Sequence, residues 1–230
     1  MGIRLLRAST VAAIVPLLAV INLSIPASAT SAGTTSWTVY DYNPSGQALA
    51  PRVAGKSSPP TVTGNTASFD FLANTYTALL TSSDSSLTGD LSGMTLTDTV
   101  TVSGVTGHLQ DQNGAGCLPD IQSTRLFFTS PGFEFTNFWW SNPVSVHLTD
   151  ANAQVGSLTL TLTGHLANPG EWSDWNGKNG LESSAVTAGF FAAVSNVQTV
   201  GLSFGGGCFF ENGVTTSDGS GTLTSDFSEQ

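Results

Sequence analysis

The chain is 230 residues long, 40% hydrophobic and only 10% charged, with six basic side chains against sixteen acidic ones and a formal net charge of −10. Without Arg4 and Arg7, which fall in a leader described next, Arg52, Lys56, Arg125 and Lys178 oppose all sixteen acids and the charge is −12. Nucleic acid and anionic membrane surfaces are bound mainly through Lys and Arg, so neither is expected as a partner.

At the N-terminus Arg4 and Arg7 precede the apolar run VAAIVPLLAVI (11–21), which leads into SIPASA (24–29). A basic start, a short apolar run and small residues at its end are the parts of a secretory signal peptide. The run holds Pro16 and has eleven residues, whereas a spanning helix needs about 20. We expect residues 1–29 to be removed after Ala29, leaving a secreted, extracellular product that is one domain over 30–230 and has no membrane span. Cys117 and Cys208 are the only cysteines, and in an exported chain such a pair favours a disulfide over a metal site.

From Thr30 onward, apolar residues alternate with Ser and Thr in short segments broken by Gly, Asn, Asp and Pro, the pattern of half-buried strands joined by turns. In chain order the expected strands are SWTVYDY (36–42), ASFDFL (67–72), YTALLT (76–81), LTDTVTV (96–102), RLFFTS (125–130), FEFTNFWW (133–140), VSVHL (144–148), LTLTL (158–162), QTVGLSF (198–204), CFFENGV (208–214) and SGTLTSDF (220–227). So many strands in one domain predict an all-β fold, a two-sheet antiparallel β-sandwich, rather than one open sheet. Residues 43–60 carry four of the ten prolines together with Arg52 and Lys56, and read as a long irregular connection. One segment leaves the period of two. In SSAVTAGFFAAVSNV (183–197), Val186, Phe190, Ala193, Val194 and Val197 recur at helical spacing with Ser183 or Ser184 available as cap, predicting a short helix near 184–197 against a sheet edge or sandwich end. Gly189 interrupts its middle, where glycine costs about 1 kcal/mol relative to alanine.

The residues that could carry chemistry concentrate in GEWSDWNGKNG (170–180). Pro169-Gly170, Asn176-Gly177 and Asn179-Gly180 are turn dipeptides, so the backbone uses much of this stretch for its own course. Asp174, Asn176, Asn179 and Glu182 also place oxygen ligands every two or three residues, which makes a structural calcium ion a candidate, although Lys178 stands where an EF-hand-type loop would put a ligand. Trp172 and Trp175 suit a different ligand: an indole stacks on the apolar face of a sugar ring while Asp174 and Asn176 bond its hydroxyls. Trp139 and Trp140 are neighbours in an expected strand, so one faces the core and the other outward, and the outward one is the better platform.

Catalysis has less to build on. Glu134, Glu171, Asp174, Glu182, Glu211 and Asp218 form no local motif that selects a pair, and His108, His147 and His165 are scattered. HExxH does not occur. The glycines 205–207 have strand-like residues on both sides and no nearby Lys, which suits a bulge or hairpin better than a phosphate cradle.

The order WWSNPVSVHL, SLTLTLTGHLANPGEWSDWNGKNG, a short helix and NVQTVGLSFGGGCFFENGVTTSDGSGTLTSDF, over about 125–227, resembles a β-sandwich domain of exported bacterial proteins of the laminin B (domain IV) type. That resemblance implies a jelly-roll-like sandwich related in shape to carbohydrate-binding modules, and it supplies no catalytic residues. Together these readings give a secreted, monomeric, non-catalytic protein that binds an extracellular polysaccharide through Trp139, Trp140, Trp172, Asp174, Trp175 and Asn176. A structural or protein-interaction domain is the second reading, separated from the first by whether the indoles are exposed. A polysaccharide-degrading enzyme is the third, and it requires two carboxylates in one cleft.

Overall fold

The computed structural model describes residues 36–42, 49–52, 58–111, 124–131, 137–142, 156–205 and 213–230. The expected signal peptide, the expected Cys117–Cys208 disulfide, the strand expected at 144–148 and most of that at 208–214 lie outside these residues. So do Glu134, His147 and Glu211.

The elements are β1 (Trp37–Tyr42), β2 (Leu49–Pro51), β3 (Thr61–Thr63), β4 (Thr66–Asp70), β5 (Tyr76–Ser82), β6 (Thr95–Val105), β7 (Leu109–Asp111), β8 (Thr124–Thr129), β9 (Phe138–Ser141), β10 (Gly156–His165), β11 (Trp172–Asp174), α1 (Ser184–Val194), β12 (Thr199–Phe204), β13 (Val214–Thr216) and β14 (Thr222–Glu229). They form two antiparallel sheets. The larger runs β11-β9-β8-β12-β5-β1-β2, with β13 bonded to both β5 and β7, and the smaller runs β10-β6-β14-β4-β3. The predicted all-β sandwich is therefore present. No helix among the described residues is long and apolar enough to cross a membrane.

Period-two patterning explains the layering. Along β6, Leu96, Asp98, Val100 and Val102 are buried while the intervening threonines are half-exposed. Leu96, Val100 and Val102, with Leu223 and Phe227 of β14, share one cluster with Val39, Leu80, Leu126, Phe128, Val200 and Leu202 of the larger sheet. Each such side chain, fully buried, contributes about 1.5–3 kcal/mol relative to exposure. The helix also follows its spacing: Ser183 caps it by accepting the Val186 N–H at 3.3 Å, and Phe190, Ala193 and Val194 are its buried residues. Val197 is buried just beyond the helix, bridged to Gly89.

Two buried charged sites, an ion pair and a single carboxyl, depart from simple patterning. The first alters the reading of residues 43–60, because Leu49–Pro51 is a strand paired with β1 and Arg52 is buried. Asp41 of β1 is the reason. Arg52 donates from Nε to Asp41 Oδ2 at 2.6 Å and from Nη2 to Oδ1 at 2.9 Å, and Nη1 reaches the Asp70 carbonyl at 2.8 Å. Thr77 closes the network, and the guanidinium lies 5.1 Å from the Phe69 ring centroid. The pair thereby ties β1 and β5 of one sheet to β4 of the other. The second site is Asp98, fully buried, which accepts from Ser225 Oγ at 3.0 Å and from the Asp226 N–H at 2.8 Å. Burial pushes its carboxyl up to about 7 against the opposing pull of these donors.

Two stability measurements follow. Arg52→Met strands a buried carboxylate and is expected to cost about 3–5 kcal/mol in urea unfolding, whereas Arg52→Met with Asp41→Leu recovers most of the loss. For Asp98, whose folded value lies above its unfolded one, the folded state retains a proton that the unfolded chain releases near pH 4. Its contribution is full below about pH 4 and is lost as pH rises to about 7. Asp98→Asn keeps the acceptor for Asp226 N–H and is expected to be the more stable protein above pH 7, by up to about 4 kcal/mol, with the difference vanishing towards pH 4.

Candidate functional site

The stretch 170–180 folds as a hairpin on the edge of the larger sheet. Pro169–Glu171 makes a 3-10 turn capped by Asn168, whose Oδ1 accepts the Gly170 N–H, and Trp172–Asp174 then pairs with β9 in the register Trp172↔Ser141, Asp174↔Trp139. The chain reverses between Asp174 and Lys178, with Gly177 at φ +73°, and returns so that Gly180 N–H donates to the Trp172 carbonyl. Glycine takes that backbone angle without steric cost.

Of the four candidate tryptophans, Trp139, Trp140 and Trp172 are buried. Trp172 is wholly buried, with its ring 5.1 Å from Phe128 and its Nε1 donating to the His165 carbonyl at 3.1 Å. Gly164 makes the space: a Cβ there would lie 2.6 Å from Trp172 Cζ2. Trp139 and Trp140 do face opposite sides of the sheet, Trp139 in the main core and Trp140 in a second apolar cluster with Ala78, Leu79, Phe127 and Phe138. The outward Trp140 is nevertheless buried, because Phe138 stacks on it at 5.2 Å and Trp175 packs at 5.6 Å. Outward direction on a strand does not guarantee exposure when aromatic neighbours close over the ring. Trp175 is half-buried and Asn176 is exposed.

The oxygen-rich side chains of the loop are engaged by its own backbone. Asp174 Oδ1 accepts the N–H groups of Asn176 and Lys178, both at 2.9 Å, while Asn179 accepts from Leu181 N–H and donates to the Gly170 carbonyl. Glu182 is exposed. These bonds account for the recurring Asp and Asn as turn-forming residues. Among the described residues no group of three or more His, Cys, Asp or Glu side chains is placed to hold a metal ion.

The carboxylates disperse likewise. Glu171 binds the backbone and ring of His165, with Nδ1 at 2.9 Å from Oε2, and also Asn168. Partial burial raises the Glu171 carboxyl, but these donors outweigh it and hold the group below its ordinary range. Asp218 is fixed in a turn by Ser220 and Thr106, whose donors lower it to about 2.

What the fold does assemble is a cleft of about 570 Å³ between α1 and the β8–β9–β11 edge. Ala185, Val186, Gly189, Ala192 and Ala193 form the helix wall, Trp139 lies at the base, and Ser130, Asn137, Asp174 and Asn196 supply polar groups. Two of the expected binding residues, Trp139 and Asp174, thus meet here, and they are cross-strand partners in the β9–β11 register. Trp139 is only 4% exposed, which leaves little of its ring for stacking. Sequence reasoning missed the remaining lining residues, although Gly189 carried a signal. No atom lies within 4 Å of where its Cβ would be, so packing does not require the glycine. The cleft is of ligand size by the usual range of about 300–1,000 Å³.

Replacing Gly164 by Ala forces the Trp172 ring to move and is expected to lower stability by about 1–3 kcal/mol in chemical denaturation. The chain matches no family model, no curated protein and no solved structure.

Proposed function

We propose that this protein is an exported, non-catalytic binding module that takes a carbohydrate in the cleft between α1 and β9. The observation that carries this reading is the composition of the cleft: a ligand-sized space with alanine and valine methyls on one wall and Ser130, Asn137, Asp174 and Asn196 among its polar lining residues. A sugar ring presents the complementary surface, C–H faces and hydroxyl edges. Asp174 is the one carboxylate among the described residues lining the cleft, whereas a glycosidase pairs an acid with a base. Export by the signal peptide and the laminin B-type resemblance accord with a module of this kind.

Gly189 adds support. A glycine in mid-helix costs about 1 kcal/mol relative to alanine, and here it keeps the helix wall open where nothing else occupies the space. Burial of Trp139, Trp140 and Trp172 favours a second reading, a structural or protein-interaction domain. In that case Phe191 and Leu181, 46% and 61% exposed, are the apolar contacts for a protein partner.

Calorimetric titration of the mature protein with a panel of soluble oligosaccharides decides between them. The carbohydrate reading expects saturable binding that weakens at least about tenfold in Gly189→Leu, whose side chain fills the cleft, while the thermal midpoint is retained. Absence of binding across the panel gives the second reading its place. Independently of any ligand, Gly189→Ala is expected to stabilise the fold by about 0.5–1 kcal/mol in urea unfolding.

A further inference from the structure

We infer that the saccharide taken by the α1–β9 cleft is an amino sugar with a free ammonium group, which pairs with Asp174. This inference rests on the carbohydrate reading of the same cleft. Among the described lining residues Asp174 alone is charged, and Ser130, Asn137 and Asn196 are neutral. Its two oxygens are unequally used. Oδ1 accepts the backbone N–H groups of Asn176 and Lys178, and among the described residues no donor meets Oδ2, the acceptor we assign to the ligand.

No basic side chain among the described residues forms an ion pair with Asp174; Arg52 pairs with Asp41, and His165 with Glu171. A half-buried carboxylate fixed in this way, and lacking a cation of its own, is complementary to a cationic ligand group. The rest of the chain reinforces the preference, because a mature charge of −12, from four basic and sixteen acidic residues, repels uronate and sulfated glycans and draws cations towards the surface. An ammonium donates directly to Oδ2, while ring hydroxyls reach Asn137, Asn196 or Ser130. An N-acetylated sugar offers a neutral amide at the same position and loses the charge-assisted bond.

The test titrates the mature protein, by calorimetry, with three oligosaccharides matched in length: a glucosamine oligomer with free amines, its fully N-acetylated counterpart and a uronate oligomer. Asp174→Asn serves as the variant because it keeps the Oδ1 acceptor that the turn requires. The expected result is about tenfold or tighter binding of the free-amine oligomer over the acetylated one, a preference that collapses in Asp174→Asn and shrinks with added salt, with little binding of the uronate. Equal or tighter binding of the acetylated oligomer, or a preference that survives Asp174→Asn, overturns the inference. If that binding is still blocked by Gly189→Leu, the carbohydrate reading stands alone. No binding of any of the three, nor of other glycans, removes both.

Discussion

The arrangement around the cleft depends on the burial of Trp172. Its indole enters the sandwich between Gly164 of the smaller sheet and Phe128 of the larger one, and its N–H is satisfied by the His165 carbonyl. A tryptophan placed so fixes both position and orientation, since apolar contact and one directed hydrogen bond must be met together. Because Trp172 opens β11, the hairpin that follows is held against β9, and Asp174 falls opposite Trp139. Phe190 of α1 packs on the same aromatic group, 5.1 Å from Trp139 and 5.9 Å from Phe128. One buried indole thus sets the hairpin, and its neighbours set the helix, with the cleft as the space between.

Elsewhere the sandwich accepts charge in its interior where geometry can compensate it. Arg52 spends its donors on Asp41, Thr77 and the Asp70 carbonyl, so the guanidinium is paired, hydrogen-bonded and laid over Phe69. Desolvating such a pair is costly, and full hydrogen bonding is what makes it tolerable. Asp98 is compensated differently. With Ser225 and Asp226 as donors and no cation beside it among the described residues, burial pushes it up to about 7. The first device ties the sheets together, and the second introduces a response to pH.

The two ends of α1 explain why a cleft exists beside it. Its C-terminal half is held by Phe190, Ala193 and Val194 in the core, and the Val194 carbonyl accepts the Leu91 N–H. On the side facing β9 it presents Ala185, Gly189 and Ala192, side chains too short to meet the sheet edge. A helix anchored on one face and truncated on the other leaves a gap that neither element can close. The gap is bordered by polar side chains at loop and strand ends, where binding residues commonly sit on a rigid scaffold.

The order of apolar and polar residues by itself determined the fold class, most strand positions and the helix with its Ser183 cap, because these depend on periods of two and 3.6 that act locally. It also marked GEWSDWNGKNG as a turn, since Asn and Gly tolerate the backbone angles required. Residues 49–52 were not legible in this way: an Arg in a proline-rich segment reads as solvated until Asp41 is found beside it. Nor was exposure of the tryptophans. Alternation assigns a side chain to a face, but only the packing of Phe138 and Trp175 over Trp140, and of Phe190 against Trp139, decided that both are covered. The cleft belongs to the tertiary structure for the same reason, for Asp174, Trp139, Gly189 and Asn196 are dispersed in the chain and meet only when the sheet edge and the helix are brought together.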